Sequence, residues 1–158
     1  MKRVFLALLM ILVCGSAFAF TGPVTRVSDG DTITVQSPSG DHVKVRLYGI
    51  DTPESQQTFG SQATRFTKSK VMHRTVRIVE KDVDRYGRSV ALVYTEDGEL
   101  LNQQLVENGL AWVYDRYCKI DQCSSWVAMQ DSARGNKVGM WQDPEIIAPW
   151  DFRKSKKK

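Results

Sequence analysis

Histidine and cysteine are scarce in this 158-residue chain, which has two of the first and three of the second. His42 and His73 stand in different segments, so a zinc site has too few soft or imidazole ligands to draw on. Long apolar runs are missing too: the longest, Val4 to Val13, has ten residues. A membrane-spanning helix needs about 20. Internal repeats are absent, and no second block of distinct composition follows the first, so one domain with one core is expected. Nor is the chain broadly basic. Its formal charge is +4, from 22 lysines and arginines against 18 acids, but five of the basic residues lie in the last six positions, Arg153 to Lys158.

What is present begins with an export pattern. Met1-Lys2-Arg3 is a basic head, the apolar run follows, and Ala17-Phe18-Ala19 has the small-x-small form of a signal-peptidase site. Residues 1–19 therefore read as a cleaved signal peptide, and the mature chain starts near Phe20. A lipoprotein signal ending at Cys14 competes with this, but Val13 stands where such signals want a small residue. The expected location is the periplasm or the medium, with no membrane attachment after cleavage.

Losing Lys2 and Arg3 leaves 20 basic residues against 18 acids, or +2, and leaving out the last six residues gives 15 against 18, or −3. Bulk charge would not steer a polyanion to such a body, so any grip on one must come from a local site or from the tail. The lysine-rich end reads as a solvated, disordered terminus. Cys118 and Cys123 are the two cysteines left without the signal. They enclose only Lys119 to Gln122, and in an oxidising compartment a disulfide is expected rather than metal binding.

The first half reads as strands. Pro23 to Ser28, Asp31 to Gln36 and Val43 to Gly49 are rich in β-branched residues, with alternation clearest at Val43, Val45 and Leu47. Asp29-Gly30 and Ser37 to Asp41 mark the turns. Thr58 to Met72 reads as a helix with Phe59, Ala63 and Phe66 on one face. Strands follow at Thr75 to Lys81 and Arg88 to Thr95, joined through Asp84 to Gly87. The second half turns helical, over Glu99 to Asn108 and over Ser124 to Asn136, where Ser124 is the expected cap and Trp126, Met129 and Ala133 face inward. The expected fold is α+β and mainly β: a small, partly open five-stranded Greek-key barrel of the oligonucleotide-binding (OB) type with about three helices against it. The tryptophans are read as packing groups, and Pro144 to Trp150 as a tail laid on the surface.

The chemistry concentrates in Val45-Arg-Leu-Tyr-Gly-Ile-Asp-Thr-Pro-Glu54. An arginine on a strand and two carboxylates in the following turn can supply charge for a developing anion, oxygen ligands for a hard cation and a base for water. Alone, the run is also an ordinary strand exit. Its weight comes from Asp29-Gly-Asp-Thr32 on a neighbouring strand, which can bring Asp31 close to Asp51. Two carboxylates, a backbone carbonyl and waters suit calcium better than softer metals. Asp84-Arg-Tyr-Gly-Arg88 adds a second guanidinium, so that Arg46 and Arg88 can clamp a phosphate from two directions.

From Val24 to Trp141 the sequence resembles the thermonuclease, or staphylococcal nuclease-like, family. The resemblance rests on Asp29-Gly-Asp-Thr32, Arg46-Leu, Asp51-Thr-Pro-Glu54, Asp84-Arg-Tyr-Gly-Arg88 and Leu105-Val-Glu-Asn-Gly-Leu-Ala111. It implies a nuclease domain over residues 20–142, followed by a tail over 143–158 that is basic at its end. It makes Asp31 and Asp51 side-chain ligands of calcium and Thr52 a backbone ligand. Glu54 becomes the general base, although a carboxylate is a weak base for water. Arg46 and Arg88 become the residues that bind phosphate and answer transition-state charge. The implied activity is sugar-nonspecific hydrolysis of DNA and RNA that leaves 3′-phosphate ends, by a monomer without a stable protein partner.

Two departures stand out. Five residues separate Glu54 from Gly60, a shorter loop than in the best-known member. Tyr114 and Tyr117 lie where the family places tyrosines against the nucleotide, but the cysteine pair alters their surroundings, and packing is as good a role for either. Arg85 and Tyr86 are further candidates for substrate contact. Stacking on a tyrosine would be sequence-tolerant. The competing function is a noncatalytic barrel that binds nucleic acid or protein.

Overall fold

The computed structural model describes residues 18–157. The basic head and apolar run of the expected signal peptide lie outside the described residues. The elements in chain order are β1 (Ala19–Val27), β2 (Thr32–Gln36), β3 (His42–Leu47), β4 (Ile50–Asp51), α1 (Gly60–Val71), β5 (Thr75–Val83), β6 (Ser89–Tyr94), α2 (Leu101–Glu107), β7 (Trp112–Val113), α3 (Gln122–Gly135), a 3-10 turn (Gly139–Gln142) and α4 (Pro149–Ser155).

Alternation of apolar residues makes the barrel. Ile33 and Val35 of β2, Val45 and Leu47 of β3, Val76 and Ile78 of β5 and Ala91 and Val93 of β6 point inward and are essentially inaccessible, while the intervening residues lie on the barrel's other face, where Leu92 is buried as well. The barrel is closed in the order β1-β2-β3-β6-β5 rather than partly open as expected. Closure comes from the N-terminal half of β1, where Ala19 to Pro23 pair with Val79 to Thr75. The other half pairs with β2, past a register shift between Val24 and Arg26. The expected strand at Pro23 therefore begins at Ala19, and the predicted cleavage point after that residue falls inside β1.

β3 and β6 run parallel, with Val45 beside Ser89 and Arg46 beside Val90. Gly49, at φ +72, then turns the chain sharply, and a Cβ there would lie 2.7 Å from Cys118 Sγ. Beyond it, β4 pairs with β7, so the backbone of Asp51 is held opposite Trp112. Two-residue strands carry no periodicity, so the sequence pattern does not announce this ribbon.

The helices pack against the barrel and share its core. Trp126, Leu101 and Leu105 are fully buried in the main core. Asn102, also fully buried, accepts a bond from Val93 N–H and donates to the carbonyls of Tyr48 and Ala91. α3 starts before Ser124, which lies inside the helix, and no side chain caps it. The Cys118–Cys123 disulfide is formed, with Cα atoms 5.7 Å apart.

The largest correction concerns the C-terminus. In place of a surface tail with a disordered end, the segment forms α4, begun by Pro149 in the first turn. Trp150 anchors it, stacked on Tyr114 at 4.6 Å and edge-on to Trp112 at 5.7 Å. Trp112 also meets Trp141 edge-on at 4.5 Å, so three tryptophans and a tyrosine form one patch beneath the helix.

Candidate active site

Two turns at the barrel rim converge, and a third lies on the strand next to β3. The first, Asp29-Gly30-Asp31, enters β2 and is tied to α1 by the Thr67 hydroxyl, which donates to the Gly30 carbonyl at 2.6 Å. The second is the β4 exit, Asp51-Thr52-Pro53-Glu54. It is held by the Glu54 backbone, whose N–H donates to Gln57 Oε1 at 2.9 Å and whose carbonyl lies so near Gly60 that a Cβ there would sit 2.0 Å away. The third is the Asp84 to Arg88 hairpin.

Asp31 and Asp51 are almost inaccessible, at 5% and 2%. Asp31 Oδ2 accepts from Thr52 N–H at 2.7 Å and from the Thr52 hydroxyl at 3.0 Å. Arg46 bridges the two acids, with Nη1 3.0 Å from Asp31 Oδ2 and Nη2 2.8 Å from Asp51 Oδ1. Two buried anions in one place repel unless a cation stands between them, and this guanidinium is that cation. Asp29 sits behind them. Burial, and next the charge of Asp31, push its carboxyl up to about 6. Burial also raises Asp51, against the hydrogen bond from Arg153 and the charge of Arg46.

Arg153 of α4 joins the site although nothing in the sequence pattern points to it. Its Nη2 lies 2.7 Å from Asp51 Oδ2 and its Nη1 2.6 Å from Glu54 Oε1. Its partial burial works against the charge, but the bonds and charges of Asp51 and Glu54 win and push its pKa further up. It is one basic residue in a run of them, and the docking of α4, chiefly through Trp150, brings it to the rim.

The structure thus brings together Asp31, Arg46, Asp51, Thr52 and Glu54. Arg88 stands apart from that cluster. It lies one residue before Ser89, the partner of Val45, and its Nε donates to Asp84 Oδ2 at 2.6 Å. Partial desolvation of Asp84 would raise its pKa, but backbone and side-chain bonds from Arg88, a backbone bond from Tyr86 and the charge of Arg88 hold it below the usual range. Tyr86 is 69% exposed, with the guanidiniums of Arg85 and Arg88 at 4.8 and 5.5 Å from its ring. Tyr114 is committed to packing against Trp150, whereas Tyr117 remains 54% exposed.

The family model described as staphylococcal nuclease homologue matches residues 44–143, from β3 to just past the 3-10 turn. The chain belongs to this family. An uncharacterized endonuclease of Escherichia coli O157:H7 is 41% identical over 135 residues, covering 85% of this chain and 86% of that protein. The micrococcal nuclease of Shigella flexneri is 35% identical over 164 residues, covering 98% and 93%. Protein ParB of Escherichia coli is 36% identical over 163 residues, covering 98% and 91%. The chain is accordingly a hydrolase of the nuclease type. In this nuclease the acids and arginines at the rim form the candidate active site, and α4 with Arg153 lies beyond the matched stretch.

The donor set fits a hard cation. The two buried acids, with Thr52 bonded to one of them, offer oxygen alone, the ligand type of calcium or magnesium. Among the described residues no three His, Cys, Asp or Glu side chains form a group that could hold a metal ion by themselves.

Proposed function

We propose that this nuclease hydrolyses phosphodiester bonds of both DNA and RNA in a calcium-dependent reaction that leaves 3′-phosphate ends. The observation that carries the reading is the bridging of two buried carboxylates, from separate turns, by Arg46, with Glu54 three residues beyond Asp51. Bound by Asp31, Asp51 and the Thr52 carbonyl, calcium would supply Lewis-acid stabilisation of a phosphate oxygen. Arg46, released from the two acids that the ion would then engage, bonds the same phosphate and answers charge that grows in the transition state. Arg88 does the same from the neighbouring hairpin once it leaves Asp84. Glu54 orients the attacking water and takes its proton. No part of this cluster reads a base edge, which favours cleavage without sequence preference.

Export to the periplasm or medium, action as a monomer and the absence of a stable protein partner belong to the same reading. The apolar N-terminal run and the disulfide support export. The test is digestion of single-stranded DNA, duplex DNA and RNA with calcium, followed by analysis of the product ends. The expected products carry 3′-phosphates on both sugars. Products with 3′-hydroxyls, or cleavage of one sugar only, would refute that part.

A further inference from the structure

A groove of about 310 Å³ runs alongside the candidate active site, with Glu54 to Gln56 on one wall and Phe152, Arg153, Lys156 and Lys157 of α4 and its end on the other. We infer that it binds one strand of nucleic acid beside the bond to be cut, through its phosphates and one base. The inference rests on the substrate reading above and deepens it.

The groove begins at the candidate base. Arg153 lines it while holding Asp51 and Glu54, so a strand in the groove leads straight to the reacting centre. By pairing with both acids, Arg153 also masks the negative charge that would otherwise repel a phosphate at the groove mouth. Lys154 is engaged with Asp151 at 3.1 Å, but among the described residues neither Lys156 nor Lys157 has an acidic partner. Both ammonium groups are therefore available to phosphates.

The charge distribution points the same way. Residues 20–152 carry 15 basic and 18 acidic groups, so the barrel itself gives a polyanion no general attraction. The end of α4 does. Phe152 adds a partly buried ring over which Lys156 Nζ lies 4.8 Å from the centroid, and once that ammonium turns to a phosphate a base of any identity can stack on the ring. The volume is near the lower limit of small-ligand pockets, roughly 300 Å³, which suits one nucleotide of a single strand rather than a duplex.

The test is anisotropy of a short fluorescent single-stranded DNA, titrated with the protein in chelator at several salt concentrations. Lys156→Ala/Lys157→Ala is expected to weaken binding roughly tenfold and to flatten the salt slope by roughly 1.4, about 0.7 for each phosphate that is no longer neutralised. Arg65→Ala/Lys68→Ala removes the same charge from the exposed side of α1. It should bind within about twofold of the wild type. Unchanged affinity and slope in the lysine pair, or equal losses in both pairs, overturns the groove. Lysine-dependent binding to phosphatidylglycerol vesicles without such dependence for DNA assigns the lysines to a membrane surface and overturns it too. Cleavage of the same DNA by the wild type with calcium is scored in parallel. A wild type that cleaves while the lysine pair binds normally defeats the groove alone, and one that neither binds nor cleaves defeats the substrate reading as well.

Discussion

Asp51 is held by two arginines, one five residues before it and one 102 residues after it. Arg46 stands on a central barrel strand, registered opposite Thr32 on one side and Val90 on the other, and its side chain is 15% exposed. Arg153 stands on a seven-residue terminal helix and is 42% exposed. The same kind of bond thus has two different standings. The barrel fixes Arg46 before any ligand arrives, whereas Arg153 depends on a helix docked through Trp150 and a few contacts such as Gln57 Nε2 to the Ile147 carbonyl at 3.0 Å. Charge that must be present for chemistry belongs on the first kind of support, and charge that lines the approach to the site can rest on the second.

The largest expected effect breaks the barrel half of this comparison. Arg46→Lys keeps the charge but loses the planar bridge between Asp31 and Asp51, and turnover should fall on the order of 10² to 10³-fold while the fold survives. Near-normal turnover would show that the bridge is not part of the reaction. Arg46→Ala goes further, because it leaves two buried carboxylates facing each other. Denaturant titration should show a loss of about 3–5 kcal/mol. Arg153→Ala should cost less, about 1 kcal/mol, because Arg153 itself is half-exposed and Arg46 still pairs with Asp51. Equal losses at the two positions would erase the distinction between them.

Between these lies the disulfide that backs the Gly49 turn. Cys118→Ala/Cys123→Ala opens a loop with a sequence separation of only 5. The small loop limits its stabilisation to about 2 kcal/mol in the chain-entropy account. Urea midpoints of the two forms check this.

The smallest effect concerns the hairpin. Asp84 has a depressed pKa in the folded state, so its contribution to stability is present above its unfolded value and is lost as pH falls through the folded one. Wild type and Asp84→Asn should therefore differ in urea midpoint at neutral pH and converge in acid, below about pH 4. A difference that grows on acidification would contradict the ion pair with Arg88.

Much of the site is legible in the sequence because local chemistry and strand pattern agree there. Asp31 and Arg46 lie on adjacent strands whose alternation is plain, and Asp51 to Glu54 follow within one turn. The parts that escape a reading of the sequence depend on distant partners. The N-terminal half of β1 becomes a strand by pairing with β5, roughly 55 residues on. β4 and β7 have no pattern of their own and exist as each other's partner. α4 looks like a tail because lysines dominate its end, yet two aromatic residues near its start, Trp150 and Phe152, outweigh them once Tyr114 and Trp112 offer a surface. Helix starts differ by two residues from the expected ones, where Phe59 adopts φ +69 ahead of α1 and where Ser124 lies within α3 instead of capping it.

Whether the acids bridged by Arg46 form a calcium-dependent phosphodiesterase centre is decided by a calcium titration of plasmid cleavage. The wild type should cleave at a rate that rises to saturation with calcium and should stop when the ion is chelated, and Asp51→Asn should lose on the order of 10²-fold or more at every calcium concentration. Undiminished cleavage under complete chelation, or in Asp51→Asn, would contradict such a centre.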